Sequence, residues 1–333
     1  MVDLLRAPVD ERTARVMLAC ASEPGDPVTG RLVQTFGAAE TVRLGHIPPS
    51  GDPTAWTEAD HWRARVGPRL SPEHAQSAML AAGQIGAHLL TPVDDAWPAD
   101  LQRLGVEEPV ALWVAGDPAH LNGTSISVLG ARAATAYGSF VATELASDAA
   151  SQGVTVVSTG SYGIAGAAHR AAIMNGGATV AVLAGGIDRP YPAGHTQLFE
   201  QVARSGALVS EVAPGAAPTK HRFQQRGRLI AALSDAVVVA EAGYRSGALQ
   251  HAIRAAEFGR PVGAIPGPVT TASSAGCHRL LGDGTASVIT NFHDVTEMLK
   301  RSSVILSRSF GEDLLEAARL SAPATLQPAA RDM

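Results

Sequence analysis

Between Glu211 and Asp235 the chain has no acidic residue, yet Lys220, His221, Arg222, Arg226 and Arg228 all fall there, with Phe223 among them. Cations at that density capture phosphate oxygens, and an interleaved ring offers a face on which a base can stack. Arg226 and Arg228 stand directly before the apolar run Leu229 to Leu233. If that run opens a helix, its N-terminus would ordinarily favour acids, so two arginines there point to an external anion. A polyphosphate chain fits the spread of charge better than one small ligand. The plainer alternative is a solvated basic loop at a helix start.

Four turns could complete an anion site, each following a short apolar run that reads as a strand. After Ser125 to Leu129 comes Gly130-Ala131-Arg132, then Thr135, Tyr137 and Gly138. After Val154 to Val157 comes Ser158-Thr159-Gly160-Ser161-Tyr162-Gly163. After Ala236 to Ala240 comes Glu241-Ala242, with Ser246-Gly247-Ala248-Leu249 opening a helix, and after Pro261 to Ile265 comes Pro266-Gly267-Pro268. Ligands of an open parallel sheet bind beyond the carboxyl ends of its strands, where strand order reverses. Glycine lets backbone N–H groups approach a ligand there, and helix N-termini add partial positive charge. One such turn is most simply a tight strand-to-helix connection; four on one edge converge on an anion site.

The elements that must hold these turns alternate. Leu89-Leu90, Ala111 to Val114, Ala178 to Leu183 and Ala207 to Val209 are further strands, and Gly138 to Gln152 and Ala165 to Asn175 read as helices. Near-continuous apolar strands alternating with helices predict a mostly parallel α/β sheet covered on both faces. Upstream, Glu11 to Ser22, Thr29 to Leu44 and Glu73 to Ile85 have helical patterns, with a Pro-, Gly- and Trp-containing loop from Ile47 to Trp56. The expected organisation is a small helical module at 1–75, the α/β domain at 76–298 and a short tail at 299–333. The tail has one helical stretch, Gly311 to Leu320, before a Pro/Ala-rich end.

Bulk properties narrow the function. In 333 residues, 46% hydrophobic and 17% charged, the chain can bury a real core and is no disordered polyelectrolyte. A formal net charge of −5 gives no global positive field, so any nucleic-acid site must be a local basic patch. Cys20 and Cys277 form no CxxC pair, which argues against a disulfide framework or zinc site and for a reducing cytoplasm. Neither a signal peptide nor a membrane span is expected. No metal, cofactor or catalytic residue is expected either. His169 has no carboxylate beside it, Cys277-His278 lacks companion ligands, and Ser158 and Ser246 lack a G-x-S-x-G elbow. Glu241 reads as a structural cap rather than a general base.

These segments, in order, resemble the motifs of the DprA/Smf family. Gly130-Ala131-Arg132-x-x-Thr135-x-Tyr137-Gly138 is similar to its GSR-x-x-T-x-YG, and Tyr162-Gly163-Ile164 with Ala167-Ala168-His169 to its GID-x-AAH. Gly186-x-Asp188-x-x-Tyr191-Pro192 resembles G-x-D-x-x-YP, and Ser210-Glu211 the SE pair. Lys220-x-x-Phe223-x-x-Arg226-x-Arg228-x-Ile230-Ala231-x-Leu233-Ser234 resembles K-x-x-F-x-x-RNRIIAGLS. Glu241-Ala242, Ser246-Gly247, Leu249 and Pro266-Gly267 complete a match running from about residue 90 to 295.

The resemblance implies an extended Rossmann-like fold, preceded by a sterile-alpha-motif-like helical domain. It implies a non-enzymatic protein that binds and protects single-stranded DNA, forms homodimers and helps load a RecA-type recombinase. Carried over, Arg132, Lys220, Arg226 and Arg228 would bind phosphates and Phe223 would stack on a base. Gly130, Tyr162, Gly163, Ser246 and Gly247 would complete the pocket. The sequence departs from the pattern at Ala131, at Ala165 (the family Asp), at Gly227 (the family Asn), near His251 (the family Thr) and at Ser158-Thr159. The C-terminal winged-helix module of many members is not expected in so short a tail. Two alternatives stand beside this reading. One is a degenerate partner-binding module with weak DNA affinity. The other is a phosphoribohydrolase-like enzyme, whose PGG-x-GT-x-x-E glutamate has no counterpart in Ser246-Gly247-Ala248-Leu249-Gln250-His251.

Overall fold

The computed structural model describes residues 9–301; the Gly311 to Leu320 stretch and the rest of the expected tail lie outside the described residues. Five helices open the chain: α1 (Glu11–Ala21), α2 (Pro27–Phe36), α3 (Ala38–Gly45), α4 (Glu58–Val66) and α5 (Pro72–Gln84). Their starts are written locally, since Asp10, Thr57 and Ser71 each accept a hydrogen bond from a first-turn N–H. The single helix expected over Thr29 to Leu44 is two. Gly37 takes φ 80° between them, a conformation that glycine adopts without steric cost. The Glu11 carboxylate then accepts from the N–H groups of Ala38 and Ala39, at 3.0 and 3.1 Å, starting the second piece. Helix α4 escaped the sequence reading because only Trp62 and Val66 are buried along its polar length.

Nine strands follow: β1 (Ala87–Leu90), β2 (Leu112–Gly116), β3 (Ser125–Gly130), β4 (Thr155–Thr159), β5 (Thr179–Val182), β6 (Ala207–Ser210), β7 (Ala236–Glu241), β8 (Val262–Ala264) and β9 (Ser287–Val288). Among the described residues they form one sheet in the order β1-β2-β6-β5-β4-β3-β7-β8-β9. Both pairings of β2, with β1 and with β6, are antiparallel, and the remaining pairings are parallel. The intervening helices are α6 (Ala136–Ser151), α7 (Ile164–Met174), α8 (Thr196–Ser205), α9 (Lys220–Ala232), α10 (Gly247–Glu257) and α11 (Ala275–Gly282). The described residues close in helical turns over 292–301. This is the expected Rossmann-like, mostly parallel sheet.

Strand alternation divides the core. Ile126, Val128, Val156, Ala236 and Val238 face α6 and α7, while Leu129, Val157, Val237 and Val239 face α9 and α10. The N-terminal helices pack into a third cluster with Leu89, Trp113, Ala181 and Leu208 of the sheet and with Phe199 of α8. They thus share a core with one end of the sheet, and the boundary expected at residue 75 falls inside α5.

Topology makes the site. From β3 the chain builds outward through β4, β5 and β6, then returns along α9 to place β7 on the other side of β3. The reversal opens a crevice between the carboxyl ends of β3 and β7. Helix α9 begins at Lys220, nine residues before the apolar run expected to start it. Thr219 caps it by accepting from the Arg222 N–H at 3.2 Å. Arg226 and Arg228 are therefore mid-helix, and the reading of arginines at a helix N-terminus is corrected. Lys, Arg and Gln are good helix formers, so a polar stretch continued the helix where a loop was expected.

Two residues apart on a helix means about 200° apart around its axis, so the two arginines point to different places. Arg228, 1% exposed, donates to both oxygens of Glu211 at 2.6 and 2.7 Å. Its remaining nitrogens, Nε and Nη1, have no partner. Glu211→Ala leaves that guanidinium buried and uncompensated, and is expected to cost about 3–5 kcal/mol of unfolding free energy. Glu211→Leu combined with Arg228→Met recovers most of the loss. Chemical denaturation of the three proteins checks both outcomes.

Candidate functional site

Helix α9 carries Arg226 beneath the turns that follow β4 and β5. Only 6% exposed, it reaches Ser161 Oγ at 3.2 Å and the Val182 carbonyl at 3.4 Å. Its Nε has no partner. No carboxylate pairs with it or with Arg132 among the described residues. Burial, and then the like charge of Arg132, push its pKa down to about 9, and both causes act against a charge that lacks an anion. Beside both cations lies Phe223, one turn before Arg226 on α9. The guanidinium carbons sit 5.2 Å (Arg132) and 5.0 Å (Arg226) from its ring centroid, a cation–π arrangement. Tyr191 meets the same ring edge-on at 6.0 Å. Lys220, first residue of α9, is exposed.

The turns around this cluster are tied to one another. Glu241 at the end of β7 accepts from the Thr135 N–H at 2.8 Å and hydroxyl at 2.6 Å, while its carbonyl accepts from the Ala131 N–H at 2.7 Å. The carboxylate thus holds the Arg132 loop and the α6 start in place, a structural lock and not a free base. Gly163 has φ +72°, and a Cβ on it would run into the Ala131 and Arg132 carbonyls. The turn after β4 can therefore lie flush on the turn after β3 only as glycine. Gly130 fits as tightly between Ile164 and the Glu241 carbonyl. Helix α7 starts here without a side-chain cap and without an acid in its first turn, where Ala165 stands. Its positive end is therefore not neutralised locally. Tyr162 is exposed at the rim with its ring edge-on to His195 at 4.6 Å. Ser246 caps α10 through the Ala248 N–H, and Gly247 follows, exposed.

The structure thus brings Gly130, Arg132, Tyr162, Gly163, Phe223, Arg226, Ser246 and Gly247 to one sheet edge, with Lys220 at the near end of α9. It does not bring Arg228, which is spent on Glu211 in the interior; the expectation that it contacts phosphate is corrected on that ground. Sequence reasoning passed over Ser161, although the turn containing it was singled out, and gave no site role to Tyr191, named only as part of a matched motif. It also missed Glu23, which accepts from Arg222 Nε and Nη2 at 2.9 Å across 199 positions of chain with no local signal. The buried His169 is bonded to Thr179 and the Thr159 carbonyl, and burial lowers its pKa to about 4, as suits a packed neutral ring. His251 lies against Gly227, where a Cβ would collide with its Nδ1. Burial, Arg226 and Arg132 together lower the His251 pKa to about 3.

The fold is an open Rossmann-like sheet with two guanidiniums that lack carboxylate partners, and an aromatic ring beside them, at its carboxyl edge. The model of the family DNA recombination-mediator protein A matches residues 88–300, and the chain belongs to that family. The chain is 43% identical to the DNA processing protein DprA of Mycobacterium tuberculosis over 298 residues, covering 85% of this chain and 73% of that one. The X-ray structure of DprA from Streptococcus pneumoniae superposes with a TM-score of 0.72 at 28% identity, over 87% of this chain and 98% of that one. DNA processing protein A from Helicobacter pylori, whose structure addresses its single-stranded DNA binding mode, gives 0.58 at 26% identity over 65% and 97%. The family is one of DNA-processing proteins.

An arginine buried without a counter-ion opposes folding until an anion arrives. Arg226→Met is expected to raise the stability of the ligand-free protein by about 1–3 kcal/mol, even as it removes the site. Oligonucleotide at a fixed concentration should raise the melting temperature of the wild type more than that of the variant if DNA binds there. Differential scanning calorimetry with and without oligonucleotide reads both effects.

Proposed function

We propose that the protein binds single-stranded DNA at the carboxyl edge of the sheet, with backbone phosphates between Arg132 and Arg226 and a base against Phe223. One observation carries this reading: a buried guanidinium without a carboxylate partner, beside a second cation and an aromatic ring. Phosphate supplies the missing charge and a base supplies the missing face, which a small inorganic anion would not. Lys220 at the start of α9 extends the phosphate path, and Gly130, Gly163 and Gly247 allow close backbone approach. Tyr162 and Ser246 line the rim.

Family membership supports the wider role. In it the protein protects single strands as a homodimer in the cytoplasm and helps to load a RecA-type recombinase. Two free thiols, Cys20 and Cys277, suit that compartment, and among the described residues no helix is long and apolar enough to cross a membrane.

The test is fluorescence anisotropy with labelled poly-dT across a salt series. Arg132→Ala should weaken binding and reduce the slope of log K against log salt by about 0.7, the share of one phosphate contact on a single strand. Phe223→Ala should cost about 1–3 kcal/mol of binding with the slope unchanged. Wild-type protein that binds no oligonucleotide would sink the reading and favour a partner-binding module.

A further inference from the structure

The loop after β7 places a second aromatic on the same sheet edge. Tyr244 is 61% exposed, three residues beyond the Glu241 that locks the Arg132 loop. The Arg279 guanidinium of α11 lies over its ring, 5.2 Å from the centroid. Arg245 beside it is exposed and, among the described residues, has no ion pair. Asp283, at the end of α11, is the acid that feels Arg279, and it is bonded to Thr285. Among the described residues, guanidiniums lie over three rings: Phe223, Tyr244 and Phe258. Phe258 ends α10 at the opposite edge of the sheet, where Arg103 and Arg260 cover it. Phe223 and Tyr244 share the carboxyl edge.

Continuity links the two rings. Strands β3 and β7 are adjacent, with Gly130 paired to Glu241, and the Ala131 N–H donates to the Glu241 carbonyl. The Arg132 turn and the Tyr244 turn are therefore neighbours, about one strand spacing apart at their roots, some 5 Å. Arg279 lies over the ring, and a ring this exposed still offers surface to a base. A strand leaving the Phe223 pocket across the switch point meets it directly.

Resting on the proposed DNA reading, we infer that Tyr244 is a second base-stacking platform, with Arg245 and Arg279 taking the phosphates that flank it. The bound strand then crosses the crevice from the β4–β5 side to the β7–β8 side, and the site holds more nucleotides than the Arg132–Phe223–Arg226 pocket alone.

Anisotropy with oligothymidylates of about five and about twenty nucleotides separates the two regions, since single-strand sites span roughly 4–16 nucleotides. Wild type should bind the longer strand more tightly. Tyr244→Ala should weaken the longer strand about tenfold, the size of one lost base stack, and leave the shorter unchanged. Tyr244→Phe should restore wild-type affinity, and an abasic strand of the longer length should not distinguish the two variants. Arg245→Ala with Arg279→Ala should flatten the salt dependence for the longer strand only, and thermal melts confirm that each variant is folded. Wild-type affinity of Tyr244→Ala for the longer strand overturns the inference while the Phe223 pocket stands. A wild type that binds neither strand overturns the DNA reading, and this platform with it.

Discussion

A guanidinium held out of water without a counter-ion is the constraint around which the sheet edge is arranged. Taking such an ion from solvent costs several kcal/mol even after relaxation, and Arg132 nearby adds to the cost. An arginine on a loop would swing out to water. Arg226 cannot, because α9 is anchored along its whole length. Arg222 is tied to Glu23 in its first turn, Arg228 to Glu211 beyond Arg226, and Leu229 to Leu233 are buried against the sheet. The stability given up at one side chain is retained as a preformed positive field, the kind that receives an anion without reorganising its donors.

The same helix shows how a protein of net charge −5 presents a cationic pocket. Three arginines within seven residues have three fates, set by their angles around the axis. Arg222 faces the loop between α1 and α2 and is neutralised by Glu23. Arg228 turns inward to Glu211, and Arg226 turns to the crevice and meets hydroxyl and carbonyl oxygens only. Glu241, the acid at the crevice, is occupied by Thr135. Local disposition, not composition, creates the positive site. The N-terminal helices take part because their loop holds the first turn of α9, which carries Phe223.

The alternation of strands and helices was legible because strands β3 to β8 are buried on both faces and so read as largely apolar runs, whereas the two-residue, exposed edge strand β9 left no such signal. The convergence of Gly- and Ser-containing turns followed from it, since parallel strands must end on one edge. What was hidden depended on partners far away in sequence. Nothing around Arg228 announces Glu211, and nothing around Arg222 announces Glu23, so the cations in this stretch looked equivalent when they are not. The start of α9 was misplaced for a related reason: its first turns are polar on every side, and hydrophobic periodicity is silent there. Helix α4 was lost the same way, with Trp62 and Val66 its sole buried side chains.

The departures from the family pattern acquire a physical meaning in the same terms. At 227, where the family places Asn, the glycine leaves room that the His251 ring fills, and His251 itself stands where the family places Thr. A side chain at 227 would collide with the imidazole at 251 as it is placed, so the two positions share one packing contact between α9 and α10. Ala165 likewise removes a carboxylate from the first turn of α7 without adding a charge. The changes at 165 and 227 take away a polar group, the one at 251 exchanges a hydroxyl for an imidazole, and none supplies a counter-ion to Arg226 or Arg132. His251 is held neutral by its burial and by those two cations, so it does not compete for an anion either. Judged by charge rather than by motif, the divergent positions leave Arg226 and Arg132 without a carboxylate partner among the described residues.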